Sequence, residues 1–374
     1  MFQLDKIRVL LCSPRGESGG IASWTEHVLG YYHKTGDNKI EMDWAYCPPG
    51  KEVLANTPLL KRLLIGVLYY SKLLRLIRRT LRNKHYDVVH FISSASISLI
   101  KDIVCIRIAH HYKTKIIIHF RFGRIPELFE SGGWEKRLIE KVIKKADKVI
   151  VIDKRSYDVL ISNRFNNICL LPNPVSEKIV KAVKLSNVER KKNEILFAGH
   201  LVKSKGVFEL IEACRDIPGI HLTMMGKGSN DVIEEIKKAA GDSYENWLSI
   251  TGARPMEEVT KNMLSCSVFV LPTYTEGFPN VIIESMACAC PIVTTDVGAI
   301  PEMLDIENER VFGIFVKPKQ VLELRNSIQW VLNNEKLAID MGKRAQERVN
   351  ELYSMPKVWQ QMTNIWIDLS VHNL

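Results

Sequence analysis

Short runs rich in β-branched residues alternate with longer amphipathic segments along almost the whole of this 374-residue chain. Strands and helices that alternate in this way are typical of parallel sheets covered by helices on both faces. The alternation stops at a polar, lysine-rich segment, 176–193, which we interpret as a connector, and then starts again. The chain is therefore predicted to be an α/β protein with two Rossmann-like domains in series, in agreement with its length.

The predicted elements follow from this alternation. In the first series, strands are predicted at 7–12, 40–46, 87–92, 115–120 and 148–153, and helices at 21–32, 59–82, 95–109 and 134–146. In the second series, strands are predicted at 194–200, 221–226, 248–252, 267–273, 291–295 and 313–317. The chain closes with helices predicted at 319–333, 335–352 and 356–370, and Pro356 marks the last boundary.

Basic charge is concentrated in the first half of the chain. Residues 1–172 contain 29 Lys and Arg against 16 Asp and Glu, whereas residues 173–374 contain 23 against 26. This asymmetry predicts that the first half faces an anionic partner, either a membrane, a nucleic acid or an acidic substrate. Nucleic acid is disfavoured, because the sequence shows no recognised binding module and its aromatic residues are not interleaved with the basic ones.

Neither a membrane span nor a metal site is predicted. The best apolar run, 63–70, is far shorter than the ~18 residues that a spanning helix requires. The first residues lack a secretory pattern, so we expect a cytosolic location. The eight cysteines are scattered through mostly apolar segments, without a CxxC pair or a histidine cluster at zinc spacing, and are expected to be buried thiols.

The segment 59–84 has the period of an amphipathic helix. One face carries Leu60, Leu63, Leu64, Val67, Leu74, Ile77 and Leu81, and the basic residues beside it are Lys61, Arg62, Lys72, Arg75 and Arg79. Such a helix suits an anionic bilayer surface, and a core-packing helix with a basic solvent face is the alternative. With the basic first half, the pattern favours membrane contact, and we expect a peripheral protein on the inner face of the cytoplasmic membrane.

Ligands of open α/β sheets bind beyond the carboxyl ends of the strands, which directs attention to three loops. The first loop enters a helix through Gly19 and Gly20, which would let the backbone approach a diphosphate or an acceptor, or would form an ordinary flexible turn. His119, near the end of an apolar strand, fits either a satisfied core residue or a functional one. Lys203 and Lys205 precede a helix in the third loop; their position favours phosphate binding over a solvated loop.

Two glutamates flank a predicted strand-to-helix corner. Glu276 lies on a turn that contains Gly and Pro, and Glu284 lies inside a mostly apolar helix. Pro279 suits the first turn of that helix, where a missing N–H is tolerated. The free N–H groups and the dipole at such a helix start attract an anion, so the two carboxylates are predicted to lie beside an anion site.

These segments resemble the retaining GT-B glycosyltransferases of the family 4, or group 1, type, which transfer sugars from nucleotide diphosphates. The similar segments are EGFPNVIIESMA with its Glu-x7-Glu spacing, FAGHLVKSKG, MMGKGS, TDVGAIPEML, the Gly19-Gly20 loop and the strand end IIIHF. The resemblance covers nearly the whole chain and is specific from about 194 to 304. It departs from the pattern at His200, where the family usually has Arg, and at Cys290, where it usually has Gly.

The resemblance implies two Rossmann-like domains that face each other across a cleft. Residues 1–172 would bind the acceptor and 173–355 the nucleotide sugar, with the helix 356–374 packed back on the first domain. Lys205 would contact the diphosphate, Glu276 the hydroxyls of the transferred sugar and Glu284 the ribose, while His119 would reach the donor from the other domain. The residues implied to bind the donor are Gly19, Gly20, Gly199, His200, Lys203, Gly206, Gly226, Arg254, Gly277, Phe278, Pro279, Asn280 and Glu284.

The resemblance also implies the reaction. The enzyme would be a retaining, metal-independent hexosyltransferase without a cofactor, and UDP is favoured over GDP as the donor nucleotide. Its acceptor would be a lipid-linked saccharide or a polysaccharide precursor in the biosynthesis of cell-surface glycans. A glycoside hydrolase, a catalytically silent nucleotide-sugar-binding GT-B scaffold and a sugar-nucleotide epimerase remain as alternatives.

Overall fold

The computed structural model describes residues 6–15, 20–46, 59–94, 96–307 and 312–371. The chain divides into two compact units, Met1–Pro172 with Val358–Leu374, and Asn173–Lys357. Each unit contains a parallel sheet of six strands, so the predicted α/β class is confirmed. Each of the eleven predicted strands is found, with bounds that differ from the predicted ones by at most two residues. A further strand of the first unit, Ile168–Leu170, was not predicted, because three residues are too few to show a strand pattern.

The first unit is built on a sheet whose central strands are largely buried. Its strands are β1 Ile7–Cys12, β2 Ile40–Ala45, β3 Val88–Ser93, β4 Lys115–Phe120, β5 Lys148–Val151 and β6 Ile168–Leu170, in the order β2-β1-β3-β4-β5-β6. Its helices up to the end of β6 are α1 Gly20–Thr35, α2 Leu59–Asn83, α3 Leu99–His111, α4 Ile125–Ser131, α5 Gly133–Lys145 and α6 Lys154–Ser162. Near-continuous apolar strands such as β3 and β4 are expected where helices cover both faces of a parallel sheet.

The described part of α2 packs against the core of the first unit. Leu73, Ile77 and Leu81 are buried there, which matches the core-packing interpretation of this helix. The basic residues of the same stretch are exposed: Lys72, Arg75, Arg78, Arg79 and Arg82. The predicted face at 60–67, with Lys61 and Arg62, lies outside the described side chains.

The second unit repeats the architecture. Its strands are β7 Glu194–Ala198, β8 His221–Met225, β9 Leu248–Gly252, β10 Val268–Leu271, β11 Ile292–Thr295 and β12 Ile314–Val316, in the order β12-β11-β10-β7-β8-β9. The helices from residue 173 onward are α7 Glu177–Leu185, α8 Val207–Arg215, α9 Asn230–Ala240, α10 Met256–Ser265, α11 Asn280–Ala287, α12 Ile300–Met303, α13 Val321–Asn333, α14 Glu335–Leu352 and α15 Met355–Val371. Because β7 and β10 are neighbours, the loops that follow them meet at one edge of the sheet.

The interpretation of 176–193 as a plain connector is wrong. The segment contains α7, whose Ile179 is buried, and Arg190 lies near its end. The Arg190 guanidinium donates hydrogen bonds to the carbonyls of Met263, in the last turn of α10, of Cys266, after it, and of Cys288 and Ala289, after α11. The segment is therefore part of the second unit, because one cation binds carbonyls at the C-terminal ends of two helices.

Two further observations concern membrane spans and thiols. Within the described ranges, every helix is too short or too polar to cross a bilayer. The seven cysteines in those ranges are free thiols, and all except Cys169 are buried.

Candidate active site

Hydrogen bonds tie the loop after β7 to the loop after β10. The Ser204 carbonyl accepts from the Tyr274 N–H at 2.8 Å and from the Thr273 Oγ1 hydroxyl at 3.2 Å. This contact brings Lys205 against Glu276, and the Lys205 ammonium donates a hydrogen bond to the Glu276 carboxylate. The two side chains are 23% and 12% exposed, so the ion pair is shielded but reachable from solvent.

Two glycines permit the close approach of these loops. Gly206 has a left-handed backbone (φ +69°), and a Cβ there would lie 2.0 Å from the Pro272 carbonyl oxygen. A Cβ at Gly298 would lie 2.3 Å from the carbonyl oxygen of Glu276. A side chain at either position would therefore separate Lys205 from Glu276.

The corner before α11 is fixed from three sides. The Gly277 carbonyl accepts from the Ala299 N–H at 2.9 Å, and the Asn280 Oδ1 accepts from the Asn173 amide at 2.7 Å. The buried Phe278 ring packs edge-on against Tyr353, with ring centroids 5.8 Å apart.

Pro279 occupies the N-cap of α11 and not its first turn, one position earlier than predicted, and no side chain caps this helix start. Within the part of the chain that the structure describes, no side chain accepts from the first N–H groups of α11, which retain the anion affinity of a helix N-terminus.

Glu284 lies in α11 and its side chain is half-buried. Burial raises the pKa of the Glu284 carboxyl to about 7. Among the described residues, no side-chain hydrogen bond or ion pair compensates this burial. A carboxyl that is shielded from water and lacks donors is less stable once it ionises, so this site favours a ligand that offers hydrogen-bond donors.

Four other predicted residues of the second unit lie outside the contact between Lys205 and Glu276. Gly199 and Gly226 touch through their backbones, since a Cβ at Gly226 would meet the Gly199 carbonyl. His200 and Lys203 are exposed, and neither takes part in the contact between Lys205 and Glu276.

Arg254, also exposed, forms an ion pair with Glu258, with 3.6 Å between Nε and Oε1. Cys290 lacks the left-handed backbone of a glycine turn, which the preceding residue, Ala289, adopts instead (φ +52°).

In the first unit, Gly19 lies outside the described residues and Gly20 begins α1. His119 is fully buried in β4, one residue before its end. Its Nδ1 lies 3.1 Å from Nε2 of His90 in β3, and the Trp366 indole N–H of α15 donates to the other His90 nitrogen, Nδ1, at 3.1 Å. The Trp24 ring of α1 stands edge-on to His119, with centroids 5.3 Å apart.

Both histidines of this cluster are held neutral. Burial, and then the positive charge of Arg121, lower the pKa of His90 to about 3 and that of His119 well below its ordinary value. Burial also lowers the pKa of the Arg121 guanidinium, to about 9. His119 is not a satisfied core residue, because its Nε2 is buried and has no hydrogen-bond partner among the described residues.

Sequence reasoning missed several residues of these two centres. Ser204 and Gly298 carried no signal beyond their place in loops, since their roles depend on backbone contacts between loops. His90 was detectable as a second histidine in an apolar strand, VVHFIS. Trp366 contacts it across 276 residues of sequence, a separation that no local pattern encodes.

Comparison with known proteins decides the family. A model described as "Glycosyl transferases group 1" matches residues 176–348, and one described as "Glycosyltransferase Family 4" matches residues 28–178. The chain belongs to the group 1 glycosyltransferases. The Lys205–Glu276 centre and Glu284 lie inside the first match, and His90 and His119 lie inside the second.

Two curated relatives of this glycosyltransferase are named for the glycan or the acceptor on which they act. The capsular polysaccharide biosynthesis glycosyltransferase CapM of Staphylococcus aureus is 25% identical over 63% of this chain and 60% of that protein. The N,N'-diacetylbacillosaminyl-diphospho-undecaprenol alpha-1,3-N-acetylgalactosaminyltransferase of Campylobacter jejuni is 27% identical over 63% of this chain and 69% of that protein.

Solved structures show that the fold is GT-B. Sucrose-phosphate synthase from Thermosynechococcus elongatus superposes with a TM-score of 0.79 at 18% identity, covering 98% of this chain and all of that one. HepE from Anabaena, solved with UDP, gives a TM-score of 0.70 at 16% identity, covering 96% and 98%.

Proposed function

We propose that this glycosyltransferase takes a sugar from a nucleotide diphosphate bound to its second unit and transfers it, with retention of configuration, to a lipid-linked or polysaccharide-precursor acceptor. The observation that carries the proposal is the Lys205–Glu276 pair beside the uncapped start of α11. The names of two similar proteins support it: the Campylobacter enzyme is named for a diphospho-undecaprenol acceptor, and HepE was solved with UDP, which favours UDP over GDP as the donor nucleotide.

Lys205 and the first N–H groups of α11 supply positive charge for a diphosphate. The diphosphate gains negative charge as the glycosidic bond breaks, and fixed donors stabilise that charge without a strong general acid. In the ligand-free chain the charge of Lys205 is balanced by Glu276. Binding of the diphosphate would share Lys205 between the two anions and direct Glu276 toward sugar hydroxyls, which are donors. This arrangement requires no metal ion.

Glu284 provides a second anchor, for the ribose. A ribose diol offers two hydroxyl donors to a carboxyl that has no side-chain partner among the described residues. These donors favour the charged form, so nucleotide binding would lower the Glu284 pKa from about 7 and release a proton. Nucleotide affinity is therefore expected to increase as the pH rises toward 7 and to level off above it.

Calorimetric titration with UDP and GDP tests the nucleotide site. UDP is expected to bind, and Lys205→Ala is expected to weaken its binding at least about tenfold, which corresponds to about 1.4 kcal/mol. Lys336→Ala, which removes an exposed lysine on α14, is the matched control and leaves the affinity unchanged. Wild-type affinity in Lys205→Ala would exclude this assignment.

The products of a transfer assay separate the proposal from its alternatives. Incubation with UDP-sugars and a prenyl-diphosphate-linked saccharide is expected to give a glycoside with the anomeric configuration of the donor, in EDTA as in Mg²⁺. Hydrolysis of a plain glycoside without nucleotide would indicate a hydrolase, and isomerised donor without acceptor would indicate an epimerase. Nucleotide-sugar binding without turnover would indicate a silent scaffold.

We also propose that the basic face of α2 holds the enzyme at an anionic membrane surface. Five basic side chains, Lys72, Arg75, Arg78, Arg79 and Arg82, are exposed on this helix, and each basic residue near such a surface contributes about 1 kcal/mol. Replacing Arg75 and Arg79 with Gln is expected to weaken binding to phosphatidylserine vesicles at least tenfold. Equal binding by the wild-type protein and this variant would contradict the proposal.

A further inference from the structure

Three buried side chains from three elements form a continuous hydrogen-bonded chain in the first unit. Trp366 of α15, His90 of β3 and His119 of β4 are each 0% exposed. The Trp366 Nε1 lies 3.1 Å from His90 Nδ1, and the opposite nitrogen of His90, Nε2, lies 3.1 Å from His119 Nδ1. Each histidine therefore uses one ring nitrogen toward the next group in the chain.

The direction of these hydrogen bonds follows from the indole. An indole N–H only donates, so the His90 Nδ1 must accept. A neutral His90 then carries its proton on Nε2 and donates it to His119 Nδ1. A neutral His119 that accepts at Nδ1 must in turn carry its own proton on Nε2. A single one-way donor thus sets the tautomer of both rings.

Burial and a neighbouring positive charge keep His90 and His119 neutral. Burial and the nearby positive charge of Arg121 lower the pKa of both histidines, to about 3 for His90. Arg121 follows β4 and its guanidinium lies 5.0 Å from the centre of the Trp24 ring. Protonation of either imidazole would place a second positive charge in this buried cluster, which is unfavourable.

The last donor of the chain is unused. The His119 Nε2 is buried and has no hydrogen-bond partner among the described residues, and the same is true of the Trp24 indole nitrogen beside it. A buried donor without an acceptor costs about 1–3 kcal/mol, so a protein that keeps one is expected to use it for a ligand. A ligand oxygen with a free lone pair is the acceptor that this N–H fits.

We propose that Trp366 and His90 are positioning residues that fix His119 as an Nε2–H donor to an oxygen of the sugar substrate. This inference rests on the proposed function only for the identity of the ligand. It makes His119 a hydrogen-bond donor and excludes a role as general base, because its one lone pair is taken by His90. The Trp366 indole acts through two rings and does not touch the substrate.

Imidazole ¹⁵N spectroscopy of the histidine-labelled full chain tests the relay without any assay of transfer. In the wild-type protein, His119 is expected to carry its proton on Nε2 alone. Trp366→Phe removes the indole donor, and His90→Leu removes the direct donor to His119, so in both variants a fraction of His119 is expected to carry its proton on Nδ1. His90→Gln keeps an amide donor next to His119 and is expected to restore the wild-type spectrum.

Trp359→Phe is the matched control. Trp359 lies on the same helix, and its indole N–H donates to Asp37 at 2.8 Å instead of to a histidine. This variant has the same change of volume and the same loss of an indole hydrogen bond, but it is expected to leave the His119 tautomer unchanged.

The transfer rate gives a second reading. Trp366→Phe is expected to lower kcat by roughly two- to fivefold, and His119→Ala by tenfold or more. A His119 protonated on Nδ1 in the wild-type protein would overturn the proposal, and so would an unchanged His119 spectrum in Trp366→Phe or His90→Leu. These spectra remain decisive if no sugar transfer is found, so failure of the relay and failure of the proposed function are distinguishable.

Discussion

The two units of this glycosyltransferase hold their candidate functional groups in opposite electrostatic states. In the second unit, the Lys205–Glu276 pair is charged, partly exposed, and formed by two loops of one sheet edge. In the first unit, His90 and His119 are neutral, fully buried, and connected to a tryptophan from the far end of the chain. A charged pair can exchange one partner for a ligand anion, whereas a neutral relay offers a donor whose direction is already set.

The largest expected effect is on the charged centre. Glu276→Ala removes a charge-assisted contact to the sugar and is expected to lower the transfer rate about 30- to 1000-fold, or about 2–4 kcal/mol. The rate would be measured with saturating donor, and unfolding curves would show that the variant remains folded. Glu335→Ala, an exposed glutamate on α14, is the matched control. A wild-type rate in Glu276→Ala would show that the charged pair of the second unit has no role in sugar transfer.

A structural cation of the same unit provides the next test. Arg190 binds four helix-end carbonyls, so Arg190→Ala is expected to lower the free energy of unfolding by about 2–4 kcal/mol. Urea unfolding measures this change, with Lys192→Ala as the exposed neighbouring control. If UDP affinity in folded Arg190→Ala fell as far as in Lys205→Ala, Arg190 would not be a purely structural cation and the contrast with Lys205 would be wrong.

Glu284 is expected to lower the stability of the protein while it strengthens nucleotide binding. Its pKa is about 7 in the folded chain and 4.5 for an ordinary Glu. Ionisation of Glu284 therefore does not change the free energy of unfolding below pH 4.5, lowers it progressively between pH 4.5 and 7, and has its full effect above pH 7. Glu284→Gln cannot ionise, so at pH 8 it is expected to stabilise the ligand-free protein by about 1–3 kcal/mol while weakening UDP binding. Thermal unfolding at pH 4.5 and 8 measures the effect, and Glu347→Gln is the exposed control. A stabilisation equal at both pH values would show that ionisation of Glu284 is not its cause.

The smallest expected effect is the absence of titration in the histidine relay. Because the pKa of His90 and of His119 lies far below 6.5, neither ring is expected to change protonation between pH 5 and 8. The unfolded chain does take up these protons, so stability should fall as the pH drops below 6.5, by about 1.4 kcal/mol per pH unit for each histidine. NMR titration of the histidine rings checks the first point, and urea unfolding at pH 7 and 5.5 checks the second. A relay histidine that titrates near neutral pH would overturn the neutral assignment.

Features that depend on residues close together in the sequence could be predicted, whereas features that depend on contacts between distant segments could not. The strands were predictable because buried parallel strands are short apolar runs, and β4 was placed to the residue. Helix α7 was missed because its lysines hide the single buried position, Ile179. Lys205 and Glu276 were each assigned to a loop between a strand and a helix, but their contact depends on the Ser204 carbonyl, which no residue pattern records.

The relay is the clearest case of a non-local cause. His119 was singled out from its strand, yet its partner His90 and the tryptophan that orients them come from elements far apart in sequence. The left-handed turn after α11 shows the same limit at short range: it falls on Ala289, whereas the resemblance directed attention to Cys290.

The first unit is discontinuous, since residues 358–374 belong with residues 1–172. During synthesis on the ribosome, the segment that carries Trp366 emerges only after the whole second unit has been made. Domains tend to fold as they emerge from the ribosome. The first unit therefore lacks the Trp366 hydrogen bond to His90 until the second unit has been synthesised. A stop codon between the second unit and Trp366 would therefore remove a residue on which the histidines of the first unit depend.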